Sequence, residues 1–295
     1  MKNQAPYLWI PFQGIEEAAS LRLQQSFPRP EEMMGEAWFM SETRKMYPEL
    51  LERDFLSFSP SEIEKYIGEA SSGVRCFPGT NSEPIWRQWF SYFLAQICTK
   101  RAMYNHLPLV TSLVSDFVTL YPDTEKLRTD DPQFLRDVLA TLGRSLMESY
   151  WWSYAEIDLT RAKRGAWDQR FMSWEYYTPN KTFSSLMFLC WKYLEAEQIE
   201  LWFHSVVEAR AKGANKGSHW QMQLMFWLLE VKPILDGKET ESGITHGNID
   251  AMREAVKQRV TEELFLEWIE IFEKFNSAHT NFLNSAEQFA DTFFK

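Results

Sequence analysis

The sequence predicts an all-α protein: a multi-layer helical domain, either a large orthogonal bundle or an irregular array of helical pairs, with little or no β-structure. Three observations lead there. Apolar residues recur at helical spacing through most of the 295 residues. No hairpin dipeptide is flanked by alternating β-branched residues. Two segments, 147–159 and 220–231, are apolar or aromatic nearly all round, and helices of that kind are enclosed by others. Enclosed helices among amphipathic ones require more than two layers.

The elements follow in chain order. "PYLWIPF" at 6–12 is extended because of its prolines and forms an N-terminal arm. "SPSEIEKYIGEASSG" starts on cap-type serines and is expected to end at Gly73. These residues suggest an N-terminal helical subdomain over 1–80 and a main helical domain over 81–295. Within the latter, "EPIWRQWFSYFLAQICTKRAMYN" is helical from about Glu83, with Pro84 in its first turn. Pro108 and Pro122 bound the next helix. Residues 121–132 read as a break, and Asp131 then caps a long helix with Pro132 in its first turn. Later helices are expected over 182–196, 197–212, 218–235, 249–275 and 277–293. "DGKETESGITHG" (236–247) is the most polar, glycine-rich connection. Gly213 and Ser218 in "GANKGSHW" suit a helix end and the next helix cap, not a phosphate loop.

The stretch "MESYWWSYAEIDL" sits late in the helix begun at Asp131. On a wheel of 134–157, Leu135, Val138, Leu139, Leu142, Leu146, Tyr150 and Ile157 form the core face. Trp151 falls opposite, beside Asp137 and Arg144, so the first half of the helix should have a solvated back. Trp152 shares a third strip with Glu148 and Glu156, its neighbours at i−4 and i+4. Burial between helices explains these aromatics, as does a pocket wall of Trp151 and Trp152 edged by the carboxylates Glu148 and Glu156.

Charge and motifs exclude much. The net charge is −10, from 31 basic and 41 acidic residues shared by both halves, which disfavours broad attraction to phosphate backbones. No apolar run approaches the ~20 residues of a membrane span, and the start of the chain reads as neither signal peptide nor anchor. The three cysteines are odd in number and far apart, as expected of reduced thiols in a cytoplasm. No nucleotide-loop, zinc-protease, CxxC or nucleophile-elbow pattern is present. "TDDPQFLRD" (129–137) lacks the spacing of an aspartate-rich magnesium site. Glu200, His204 and Glu208 recur at i+4 and are the best ligand strip, but they lie off the buried face of Ile199, Trp202, Phe203, Val206 and Val207. No metal and no cofactor are expected.

Residues 158–181, "DLTRAKRGAWDQRFMSWEYYTPNK", interleave cations with aromatics. Arg161, Lys163, Arg164, Trp167, Arg170 and Trp174 are the candidate interface, since aromatic and arginine side chains anchor protein partners. A short strand or an aromatic loop is expected at 171–179. The leading expectation is therefore a non-catalytic helical interaction protein: a scaffold, adaptor, inhibitor or immunity-type subunit with a protein partner. The alternative is a helical enzyme or small-molecule binder using the Glu148, Trp151, Trp152 and Glu156 pocket with residues of 220–231. RNA or single-stranded nucleic-acid binding through 158–181 is the third.

Overall fold

The computed structural model describes residues 7–10, 13–34, 36–39, 42–45, 47–100, 103, 106–147, 164–168, 173–176, 181–209, 217–238, 243–275 and 280–294. The fold is all-α and multi-helical, as the periodicity predicts. Among the described residues, β-structure is confined to two antiparallel two-stranded ribbons. The chain forms two compact units. One is built on Ile15–Gly143; the other takes Met1–Gly14 and most of the chain from Arg144 to Lys295. Residue 80, the expected subdomain boundary, lies inside the first unit, between two helices packed on each other.

In the first unit, α1 (Glu17–Ser26) precedes a ribbon of β1 (Glu36–Phe39) and β2 (Glu42–Lys45), then the short α2 (Glu49–Glu52). Next comes α3 (Pro60–Cys76). Its start is a full capping box: Ser59 Oγ accepts from the Glu62 N–H at 3.2 Å, and the Ser59 N–H donates to Glu62 Oε2 at 2.7 Å. The helix does not end at Gly73 but runs a turn further. Gly73 is buried, and a Cβ there would overlap the Trp86 indole of α4 (Glu83–Thr99). The glycine is a site of close helix approach, not a helix end. The helix expected from Glu83 stops at Thr99.

The chain continues through α5 (Leu107–Leu120), α6 (Thr124–Asp130) and α7 (Pro132–Val138). Residues read as a break thus contain a two-turn helix, capped by Asp123, whose carboxylate accepts from the Lys126 N–H at 2.9 Å. Asp131 caps α7 as expected, accepting from the Phe134 N–H at 3.1 Å. The long helix predicted from there changes geometry: a wider π turn covers Leu139–Gly143 and a tighter 3-10 turn covers Arg144–Met147. Leu135, Val138, Leu139, Leu142 and Leu146 of the predicted core face are all buried; Tyr150 and Ile157 lie outside the described residues. The solvated back is corrected at Asp137, which is 3 % exposed. It receives a two-pronged bond from Arg22 of α1, with Nη2–Oδ1 at 2.7 Å and Nε–Oδ2 at 3.1 Å, and another from Gln133 at 2.8 Å. The wheel could not show this, because α1 is too polar to stand out as a packing partner.

The second unit contains the ribbon of β3 (Arg164–Asp168) and β4 (Ser173–Tyr176), then α8 (Lys181–Tyr193), α9 (Ala196–Glu208), α10 (Gly217–Leu235), α11 (His246–Arg259), α12 (Glu262–Phe275) and α13 (Thr280–Phe293). The run expected over 249–275 divides after Arg259, where the Thr261 hydroxyl accepts from the Leu264 N–H and starts α12. α9 packs along α11, while α12 and α13 lie against α10. α10 is enclosed as predicted, with Trp220, Leu224, Met225, Trp227, Leu228 and Val231 buried together with Gln221 and Gln223.

Two long-range devices hold this unit. Asn248, near the start of α11, donates its amide to the carbonyls of Trp191, Lys192 and Leu194 at 2.8, 3.1 and 2.9 Å. The Trp191 indole N–H donates back to the Asn248 carbonyl at 3.0 Å. The end of α8 therefore has partners for carbonyls that no further turn could serve. The second device is the N-terminal arm. Tyr7 turns the chain in the left-handed region, at φ 71°, and Trp9 inserts into the core, only 6 % exposed. The Trp9 N–H donates to Ser205 Oγ of α9 at 2.7 Å.

Candidate functional site

The sequence candidates fall in and around the β3–β4 ribbon. Arg164 and Trp167 lie on β3 and Trp174 on β4. Arg161, Lys163 and Arg170 lie outside the described residues, as does the whole pocket set of Glu148, Trp151, Trp152 and Glu156. The strand expectation at 171–179 is met by β4, paired antiparallel with β3. Two pairings matter: Trp167 stands opposite Trp174, and Arg164 opposite Tyr176, with an irregularity in register between Arg164 and Trp167. β4 runs beside α8.

The remaining tryptophans serve another purpose. The sequence has thirteen. Eight have described side chains, and all eight are buried. The other five are Trp38, Trp151, Trp152, Trp167 and Trp174, four of which are the sequence candidates. Most indoles in the described chain build cores and do not form a surface.

Of the Glu200, His204 and Glu208 strip on α9, His204 is half-buried. Glu200 and Glu208 are exposed, and Arg259 of α11 donates to Glu200 Oε1 at 3.3 Å. The buried face is the one the wheel assigns: Ile199, Trp202, Phe203, Val206 and Val207. Among the described residues, no three His, Cys, Asp or Glu side chains group as metal ligands would, and no helix is long and apolar enough to cross a membrane.

One polar cluster was not anticipated. Asp116 sits in the otherwise apolar α5 and is largely enclosed against α3. Burial pushes its carboxyl up to about 6, and the charge of Glu64 adds to that; the Ser71 hydroxyl and the Arg75 guanidinium oppose it. Ser112, one turn before Asp116, donates to Glu64 Oε1 at 2.8 Å. Ser71 is wholly buried, so its hydroxyl acts on Asp116 away from solvent. The signal in the sequence was a polar strip, Ser112, Asp116 and Thr119, at i and i+4 or i+3 in "LPLVTSLVSDFVTL".

Comparison with family models, with curated proteins and with solved structures found no match for this chain.

Proposed function

We propose that the protein is a non-catalytic helical interaction protein, a scaffold, adaptor, inhibitor or immunity-type subunit, whose recognition surface is the β3–β4 ribbon with its basic flanks. The observation that supports this reading is the ribbon register. In it Trp167 pairs with Trp174 and Arg164 pairs with Tyr176, so that three of the six candidate interface residues belong to the ribbon's paired positions. Indole, phenol and guanidinium groups together are the usual anchors of a protein interface. The three free thiols, two of them buried, support a cytoplasmic setting.

The test compares wild type with Arg161→Glu combined with Arg164→Glu, and separately with Trp174→Ala, in affinity purification of the native complex at low and moderate salt. Partner recovery should fall in both variants while the circular dichroism spectrum and thermal midpoint stay near wild type. The wild-type interaction should weaken with salt, because exposed cations act through screened fields. Unchanged recovery at both salts rejects the ribbon as the surface. Recovery that nuclease treatment abolishes moves the reading to nucleic acid.

One observation favours the small-molecule alternative. Gln221 and Gln223 of α10 are buried, and neither amide oxygen has a hydrogen-bond donor among the described residues. Unserved acceptors in a core are costly unless something supplies a donor. Native mass spectrometry should then detect a small polar molecule on the purified chain; a bare mass after gentle desalting rejects that reading.

A further inference from the structure

We propose that an aromatic corner of the first unit, formed by Tyr47 and Tyr66 and edged by Glu49, receives an arginine side chain of a partner protein. Lys65 of the same chain holds the place of that cation until the partner arrives. The corner belongs to the first unit and the β3–β4 ribbon to the second, so each is tested apart from the other.

Four observations carry it. First, the rings make a corner. Tyr47 and Tyr66 have centroids 5.1 Å apart and planes inclined at 66°. Tyr66 is buried and forms the floor, with Phe58 edge-on to it at 5.4 Å, while Tyr47 is half-buried and forms the wall. Second, a cation already sits there. The Lys65 ammonium lies 4.9 Å from the Tyr47 ring centre and 5.9 Å from that of Tyr66, within reach of a cation–π contact. Glu69 follows Lys65 by four residues on α3, the spacing of a helical ion pair, yet among the described residues the ammonium pairs with no carboxylate. The rings hold it instead. Third, a carboxylate beside the rings has capacity to spare. The Tyr66 hydroxyl donates to Glu49 Oε1 at 2.9 Å, which leaves Oε2 for another donor. Burial and the charges of Glu69 and Glu49 push the Tyr47 hydroxyl up to about 12, as negative charge around this ring requires. Fourth, Tyr47 is held in the left-handed region at φ 57°, directly before Pro48. Its carbonyl accepts from the Leu50 N–H at 3.1 Å and closes the turn into α2. Backbone strain of this kind at a bulky residue concentrates at binding sites.

The chemistry of the corner selects the cation. A flat guanidinium stacks on a phenol ring and at the same time donates N–H groups to a carboxylate. A quaternary ammonium uses the rings but has no hydrogen to give Glu49. Lys65 is exposed on a flexible stem, so it yields the corner readily.

The full chain, labelled with 3-fluorotyrosine, is titrated with N-acetyl-arginine amide and followed by fluorine NMR, with Tyr47→Phe identifying the Tyr47 signal. That signal should shift saturably with a Kd of about 1–20 mM, the class of one cation–π contact with one charged hydrogen bond. Lys65→Ala should tighten binding at least about twofold, because the resident cation is gone. Glu49→Gln should weaken it at least about threefold, because a charged acceptor is lost. Tetramethylammonium should bind more weakly than the arginine derivative, and free arginine no more tightly. Absence of saturation by about 50 mM in Lys65→Ala overturns the proposal, as does binding no tighter in Lys65→Ala than in wild type. A preference for tetramethylammonium overturns the guanidinium, and a preference for free arginine overturns the protein side chain. Should Glu49→Gln disturb the fold by releasing Tyr66, Lys65→Ala decides, since its side chain is exposed.

Discussion

The side-chain amide of Asn248 has two hydrogens and three carbonyls around it, all at the end of α8. Its exchange with the Trp191 indole makes the contact reciprocal. Asn248→Ala leaves these buried acceptors without a donor and should cost about 2–3 kcal/mol in denaturant unfolding. Asn248→Asp should be at least as harmful, because a carboxylate would face carbonyl oxygens. A loss below about 0.5 kcal/mol would show that water replaces the amide freely. Asp116 poses a different question, one of pH. Its folded carboxyl titrates at about 6, above the ordinary aspartate value of about 3.9. Between those values the folded state holds the proton more tightly than the unfolded chain does. Its contribution is thus fully present below about pH 4 and is lost as pH rises through about 6. Wild type should lose stability across that window relative to Asp116→Asn. Parallel pH profiles for the two proteins would refute a raised value.

At the scale of elements, two glycines of α3 make opposite predictions. Gly73→Ala forces a methyl into the Trp86 indole and should cost about 1–3 kcal/mol through overpacking. Gly68→Ala meets nothing within 4 Å and should stabilise the helix by about 0.5–1 kcal/mol. A double-mutant cycle of Gly73→Ala with Trp86→Leu should recover part of the loss; strict additivity would mean that the two residues do not touch. Gly73 also marks where sequence reading stops. A glycine three residues from a helix end resembles a terminator, and only the neighbouring indole gives it another role. The helices with strong periodicity, α3, α4, α5, α9 and α12, were legible because burial itself imposes the pattern. α1 was not, since its buried residues are only Ala19, Ser20 and Leu23. α6 was hidden by seven mostly polar residues that owe their helical start to an aspartate cap. The ribbon was half legible: β-prone aromatics announced β4, but register is a relation between strands that a single segment does not contain. Asp116 was visible as a residue, but its environment was not, because Glu64 and Ser71 lie more than forty residues upstream.

At the scale of the whole molecule, the arm is the feature that a linear reading undervalues. Residues 7–10 pass for an extension, yet Trp9 is part of the core of the second unit and is fastened to Ser205. Trp9→Ala should cost about 3 kcal/mol, a core tryptophan's worth, and deletion of residues 1–14 should cost at least as much. Both are measurable as a fall in the denaturant midpoint; a deletion that leaves it unchanged would mean that the arm only rests on the surface. The same fastening sets a clock. Trp9 leaves the ribosome 196 residues ahead of the serine that receives it. At roughly 5–20 residues per second, the indole waits about 10–40 s for its slot to be made. During that interval a nascent chain displays an apolar aromatic with no home, so slower translation before α9 should lengthen its exposure and raise the demand for chaperones.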